Sequence, residues 1–137
     1  MSSDPGAPSG GAYEWLQRGL ALLSSGDAEA AAVLLERANR DQPGSASVLE
    51  ALARAQFDAG RVGQAATTFA SLVEVAPDSD YARFGLGLSL SRLDRFPEAA
   101  EQLALAVAMR PDRPEYRDSL TQVRATLRAR KEATGDR

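Results

Sequence analysis

Residues 80–113 read DYARFGLGLSLSRLDRFPEAAEQLALAVAMRPDR, and this unit closes just after Pro111. A step of 34 residues back from Pro111 reaches Pro77, and a second step of 34 reaches Pro43. The sequence therefore divides into units at 12–45, 46–79 and 80–113, with a remainder that begins at Pro114. Self-similarity at a fixed period of this length is typical of a helical-repeat array.

Matching positions of the three units carry matching residue types, which indicates one pair of helices in each unit. Two antiparallel helices approach closely only where their side chains are small, so Gly or Ala is expected where they cross, with a larger apolar residue filling the space beside the crossing. A turn between the helices favours Gly, which tolerates a left-handed backbone. The aligned sets are Gly19, Ala53 and Gly87; Ala31, Ala65 and Ala99; Leu35, Phe69 and Leu103; Ala38, Leu72 and Ala106; and, at the turn, Gly26, Gly60 and Asp94.

The spacing predicts six helices at 12–24, 28–41, 46–59, 62–76, 80–92 and 97–110. Asp27 is expected to cap the second helix, because its carboxylate can accept hydrogen bonds from unpaired backbone amides. A seventh helix is predicted from Pro114 to Glu132, with apolar residues on one stripe and polar residues elsewhere. That pattern suits a terminal cap that covers the last repeat on one side and meets water on the other. The apolar stripe consists of Tyr116, Leu120, Val123 and Leu127.

The three units resemble the tetratricopeptide repeat family, and the resemblance covers residues 12–113. It implies an all-α fold, a right-handed superhelical solenoid of three helix-turn-helix repeats followed by the capping helix at 114–132. The sequence departs from the family pattern locally, at Arg18, Gln56, Leu72 and Arg83. Residues 1–11 are rich in Gly, Pro and Ser and are expected to be disordered, as is the tail at 133–137.

The composition argues against an enzyme. The chain of 137 residues contains no cysteine and no histidine, so it lacks thiolates, the commonest general base and the commonest metal ligand. We therefore expect neither catalysis nor a cofactor or metal. A net charge of −3 does not favour nucleic-acid binding overall. No apolar run approaches membrane length and the N-terminus lacks secretory features, so a cytoplasmic, membrane-independent protein of one domain is expected.

The resemblance also implies a concave groove lined by the first helix of each repeat. Periodicity supports this independently, because the helices at 12–24 and 80–92 each carry two apolar stripes, and the second stripe is either buried by stacking or exposed for binding. Glu50 and Arg54 lie one turn apart and either pair with each other or present Arg54 to a ligand carboxylate or carbonyl. The predicted groove residues are Tyr13, Leu16, Leu20, Leu23, Glu50, Arg54, Phe57, Tyr81, Phe84 and Leu88.

One known binding mode of the family is not expected here. Members that hold the acidic tails of cytosolic chaperones use a clamp of Lys, Arg and Asn at set groove positions. The corresponding residues here are Leu16, Leu20, Ala51, Tyr81 and Gly85, none of them a cation or an amide. The sequence therefore predicts a non-catalytic protein-interaction scaffold, or adaptor, whose groove binds a largely apolar segment of a partner protein.

The sequence is also compatible with two alternatives. The chain could self-associate through apolar groove or end faces, so either a monomer or a homodimer is compatible with the sequence. The terminal helix is also locally basic and could bind RNA or an acidic partner, although its arginines are not interleaved with aromatic residues. Its ordinary role would be a solvated cap. The residues of this basic patch are Arg117, Arg124, Arg128, Arg130 and Lys131.

Overall fold

The computed structural model describes residues 11–135, and this part of the chain consists of seven α-helices joined by short turns, without a β-strand. The helix ends differ from the predicted ends by no more than one residue. Most of the two segments predicted to be disordered lies outside the described residues, although Ala133 is still helical. The helices are α1 (Ala12–Ser24), α2 (Ala28–Asp41), α3 (Ala46–Asp58), α4 (Val62–Val75), α5 (Asp80–Arg92), α6 (Phe96–Met109) and α7 (Pro114–Ala133).

The chain forms two compact units, whereas its length alone indicated one domain. The boundary falls between Pro77 and Asp78, next to the end of the second repeat. Unit 1 contains α1 to α4, which are the first two repeats, and unit 2 contains α5 to α7, which are the third repeat and the terminal helix.

The core of unit 1 depends on a close approach of α1 and α2. A Cβ atom added to Gly19 would lie only 2.6 Å from Cγ of Leu35, a side chain that is fully buried. The small residue at this position is therefore required by packing, as the repeat pattern predicted. The main core cluster extends from these helices to α3 and comprises Leu23, Ala31, Ala32, Leu35, Ala51, Leu52 and Ala55.

A buried polar pair joins α3 to α4 in the same unit. The Thr68 hydroxyl lies 2.6 Å from Oε1 of Gln56 and 3.0 Å from the carbonyl oxygen of Gln64. Gln56 is 5% exposed and Thr68 is 9% exposed, so neither side chain can exchange this contact for water. The departure of Gln56 from the family pattern is thus accommodated by a partner on the facing helix.

The turns and caps explain why the helices begin and end where they do. The Asp27 carboxylate accepts a hydrogen bond from the Ala30 amide at 3.2 Å, which confirms the predicted cap. The turn within each repeat places one residue in the left-handed region, with φ of 87° at Gly26, 84° at Gly60 and 61° at Asp94. Glycine adopts this backbone without steric cost, and Asp is one of the few other residues that tolerate it.

Unit 2 repeats this packing and then adds the long helix α7. A Cβ atom at Gly87 would lie 2.7 Å from Cγ of Leu103, so α5 and α6 also meet at a glycine. Helix α7 packs on both α5 and α6 and buries Tyr116, Leu120 and Val123 from the predicted apolar stripe. It therefore closes one side of the third repeat.

Candidate functional site

The first helices of the two repeats in unit 1 enclose a small pocket at the predicted groove positions. The pocket measures about 200 Å³, with Leu16 and Leu20 supplied by α1. Both leucines are half-buried and also pack on the core cluster, so the wall that they form is held in place. Helix α3 supplies the remaining lining residues, Ser47, Glu50, Ala51 and Arg54. The pocket thus combines an apolar wall with a polar edge.

The polar edge is exposed and weakly paired. The Arg54 Nε atom lies 4.0 Å from Oδ2 of Asp58, one turn further along α3, and both side chains are about half exposed. The ion pair therefore forms with Asp58 and not with Glu50, the partner considered from the sequence. An exposed pair at this distance contributes little stability, so the Arg54 guanidinium can turn to a ligand at small cost.

The other predicted groove residues of unit 1 differ in accessibility. Tyr13 is 73% exposed and Phe57 is half-buried. Leu23 is only 7% exposed and belongs to the core cluster, so its assignment to the groove surface is wrong. The reason is geometric: Leu23 stands near the end of α1, where α2 and α3 together cover it.

Unit 2 has a second pocket, of about 420 Å³, which includes the predicted residue Leu88. Its other walls come from α5, from the start of α6 and, unexpectedly, from α7; they are Ser91, Arg92, Phe96, Ser119, Gln122, Val123 and Thr126. The sequence predicted α7 as a cap with a possible basic patch, and none of these pocket residues of α7 was among the predicted site residues. The sequence feature that could have indicated this pocket is a polar stripe on α7, which follows helical spacing beside Val123 and consists of Ser119, Gln122 and Thr126.

The start of α7 covers part of the predicted site in unit 2. The Phe84 ring stacks on the ring of Tyr116, with centroids 4.4 Å apart. The Tyr116 hydroxyl donates a hydrogen bond of 2.6 Å to Oδ2 of Asp80. Burial and this hydrogen bond raise the pKa of Tyr116 to about 12. Phe84 and Tyr81 are half-buried, so both retain some accessible surface.

A third pocket, in unit 1, was not predicted from the sequence. It measures about 430 Å³ and is lined by Trp15, Arg37, Arg40 and Asp41. The Arg37 guanidinium lies 4.6 Å from the centroid of the Trp15 ring, and the Ala12 amide donates to Oδ2 of Asp41 at 3.2 Å. These contacts fix the start of α1 against the end of α2, which accounts for the residues that line the pocket.

In the basic patch predicted on α7, two residues contact other parts of unit 2 and three do not form ion pairs within the described residues. Arg130 lies 4.7 Å from the centroid of the Phe96 ring and 3.9 Å from Asp94, so it holds α7 against the turn before α6. Arg117 donates a hydrogen bond to the Pro111 carbonyl oxygen. The other three cations, Arg124, Arg128 and Lys131, are exposed and form no ion pair with any residue of the range 11–135.

The helix pairs, the crossing glycines and the 34-residue period define a helical-repeat protein, and the family comparison agrees. The sequence profile of a tetratricopeptide repeat family matches residues 22–84. The chain belongs to the tetratricopeptide-repeat proteins, a family whose members generally serve as non-enzymatic modules for protein interaction. Mouse superkiller complex protein 3 is 33% identical over 100 residues, a match that covers 73% of this chain. The chain spans only 6% of the length of that relative.

Solved structures show the same all-α helical-repeat fold. A structure of MamA aligns with 89% of this chain and 70% of its own, with a TM-score of 0.80 at 24% identity. The first repeat domain of human RPAP3 aligns with 92% of this chain and 98% of its own, with a TM-score of 0.81 at 16% identity. The corresponding domain of Spaghetti, bound to the HSP90 peptide SRMEEVD, aligns with 85% of this chain and 92% of its own, again with a TM-score of 0.81 at 16% identity.

None of the seven helices in residues 11–135 combines the length and the hydrophobicity that a membrane-spanning segment requires.

Proposed function

We propose that the protein is a non-catalytic interaction scaffold whose unit 1 pocket binds a largely apolar segment of a partner protein. The observation that supports this most strongly is the pocket between α1 and α3, because its lining includes four of the groove residues predicted from the sequence, Leu16, Leu20, Glu50 and Arg54. An apolar wall beside a few polar groups is the usual composition of a binding site in proteins.

The chemistry of the lining defines the ligand. Leu16, Leu20 and the buried Ala51 form an apolar wall that favours an apolar side chain of the partner. Arg54 can donate to a backbone carbonyl or a carboxylate, and Glu50 can accept from a backbone amide. Tyr13 extends the apolar surface beyond the pocket. Because the helices hold these groups in place before binding, the partner segment pays most of the ordering entropy.

An acidic chaperone tail is not the ligand that this lining favours. The HSP90 peptide bound by the Spaghetti domain carries two glutamates and a C-terminal aspartate, and such a tail is best held by cations and amides. The positions that would supply them here in unit 1 are Leu16, Leu20 and Ala51. A shared fold at 16% identity therefore does not carry that ligand over to this chain.

A site-specific cross-link tests the proposal. A photoreactive benzoylphenylalanine at Ser47, an exposed residue of the pocket lining, should capture a partner from cells. The matched control carries the same group at Thr67, an exposed residue of α4 that is outside the lining. Mass spectrometry of the Ser47 adducts should then return one segment with an apolar residue at the attachment point.

Two outcomes decide between binding in the pocket and contact elsewhere. Adducts at Ser47 that are absent at Thr67, and that weaken when Arg54→Gln is introduced, support the proposed site. Arg18→Gln, which removes the same charge at another exposed position of unit 1, should leave them unchanged. Identical adducts at Ser47 and Thr67 would show that the pocket has no specific occupant.

A further inference from the structure

Helix α7 begins in register with the 34-residue period but does not form the helix-turn-helix pair of the three repeats. The helices α1, α3, α5 and α7 begin at Ala12, Ala46, Asp80 and Pro114, each 34 residues after the last. Helix α7 is therefore in the register of a first helix of a fourth repeat. The preceding repeats turn at Gly26, Gly60 and Asp94, all with positive φ, whereas the next residue in this series is Arg128, inside α7. This explains why α7 is 20 residues long and the other first helices are 13.

The register identifies the face of α7 that corresponds to a helix–helix contact in the complete repeats. In α1 and α5 that face contains Gly19 and Gly87, which meet Leu35 and Leu103 of the second helix. The matching residue of α7 is Thr121. Within residues 11–135, α7 contacts only α5 and α6, so no second helix covers this face.

The residues on this face are cationic where the complete repeats are mostly apolar. The series Trp15, Leu49 and Arg83 leads to Arg117, and the series Leu22, Gln56 and Leu90 leads to Arg124. We define the basic face as Arg117, Thr121, Arg124, Arg128 and Lys131. A further repeat of the same kind would bury these cations without partners, which is strongly unfavourable.

The charges of α7 are sorted around its axis. At 3.6 residues per turn, the four cations of the basic face fall within an arc of about 60° and span roughly 21 Å of the axis. The acidic residues Glu115, Asp118 and Glu132 all lie outside that arc. Neighbouring cations one turn apart, such as Arg124 and Arg128, repel each other and destabilise the helix unless an anion lies between them.

We propose that the basic face of α7 is a docking surface for an acidic, Asp- and Glu-rich segment of a partner protein. Arg124, Arg128 and Lys131 are exposed and have no ion-pair partner among the described residues, and they form an uninterrupted positive stripe on a chain whose net charge is −3. A negative stripe on the partner is the complementary surface. The basic face belongs to unit 2, so this proposal does not depend on the proposal for the unit 1 pocket.

The lining of the face favours a protein segment over single-stranded nucleic acid. Binding of single strands depends on aromatic side chains on which bases stack. The aromatic residue of α7, Tyr116, is 3% exposed and stacked on Phe84, so it is not available to a base. The cations alone provide charge and hydrogen-bond donors, which suit carboxylates.

Titration of the full chain with fluorescein-labelled deca-glutamate tests this proposal, with dodecauridine RNA as the competing probe. Arg124→Gln/Arg128→Gln should weaken deca-glutamate binding roughly tenfold, since each lost charge contact contributes up to about a threefold effect. Gln retains helix propensity, and circular dichroism checks that α7 is intact. The matched control, Arg18→Gln/Arg95→Gln, removes two exposed charges elsewhere and should change binding less than about twofold.

The competing outcomes are distinct. Saturable, salt-sensitive binding of deca-glutamate that is lost in the α7 variant and kept in the control supports the proposal. Equal weakening in both variants would show a response to net charge only and would overturn it, as would the absence of saturable binding. Tighter binding of dodecauridine with the same sensitivity to Arg124→Gln/Arg128→Gln would also overturn it, in favour of a nucleic-acid surface.

Discussion

The crossing of α1 over α2 makes a quantitative prediction at Gly19. Replacement by alanine places a Cβ atom 2.6 Å from Cγ, 2.7 Å from Cδ2 and 3.1 Å from Cδ1 of Leu35. Leu35 is fully buried, so it cannot move aside without displacing its own neighbours. Overpacking of this kind costs about 1–3 kcal/mol, while the higher helix propensity of alanine returns about 1 kcal/mol. We expect a net loss of about 1 kcal/mol.

Urea unfolding followed by Trp15 fluorescence measures this change, because Trp15 is the only tryptophan and lies one turn before Gly19. The midpoint of thermal unfolding should fall by roughly 4 °C. The matched control is Gly63→Ala in α4 of the same unit, where an added Cβ meets no atom within 4 Å. This variant should gain up to about 1 kcal/mol from helix propensity.

The two Gly→Ala substitutions should change the free energy of unfolding in opposite directions. If Gly19→Ala stabilises the protein as Gly63→Ala does, α1 and α2 do not approach closely at Gly19, and the packing described here is refuted. The reverse change in the second repeat, Ala53→Gly, removes a buried methyl group and helix propensity together and should cost about 2 kcal/mol.

Three further predictions concern single contacts. Thr68→Val leaves the buried Gln56 side chain without its hydrogen-bond partner and should lower the free energy of unfolding in urea by about 1–3 kcal/mol. The double variant with Gln56→Leu should recover most of this loss. Additive losses from the two substitutions would contradict an interaction between Thr68 and Gln56. Asp94→Gly removes a left-handed aspartate and should stabilise the protein by up to about 1 kcal/mol in thermal melts. The comparison is made in an Arg130→Gln background, which lacks the ion pair between Arg130 and Asp94, and a loss of stability there would refute backbone strain at Asp94. The pKa of Tyr116 is about 12 in the folded state, whereas an unperturbed tyrosine has a pKa of 10.0. The contribution of Tyr116 to the free energy of unfolding is therefore full below about pH 10 and is lost between about pH 10 and 12, because the tyrosine of the unfolded chain ionises first. Alkaline urea titrations should show a shallower loss of stability with pH for Tyr116→Phe, and an unchanged slope would contradict the pKa that burial and the hydrogen bond to Asp80 raise.

The sequence predicts most of the fold because the informative residues are local and periodic. Pro43, Pro77 and Pro111 mark the repeat, and Gly26, Gly60 and Asp94 mark its turns, since each type is suited to a particular backbone conformation. The helix ends could be placed to within one residue for the same reason. The division between Pro77 and Asp78 into two compact units has no such local signal.

The candidate site was harder to predict because it depends on contacts between helices. Leu23 has the spacing of a groove residue but is covered by α2 and α3, and periodicity alone cannot distinguish two buried sides of a helix from one. Arg54 has an acidic residue one turn away on each side, and the sequence does not show that its ion pair forms with Asp58. The Tyr116 contacts to Phe84 and Asp80 join residues more than thirty positions apart, which no local pattern reveals.

The most direct test of the proposed function is the affinity of the protein for the segment recovered by the Ser47 cross-link, measured by isothermal titration calorimetry. Ser47→Lys places a charged side chain in the unit 1 pocket at an exposed position, so it blocks binding without disturbing the core. Thr67→Lys adds the same charge to α4 outside the pocket. Binding in the unit 1 pocket should be at least roughly tenfold weaker for Ser47→Lys and unchanged for Thr67→Lys. Equal affinity of Ser47→Lys and the unmodified protein would contradict binding at this site.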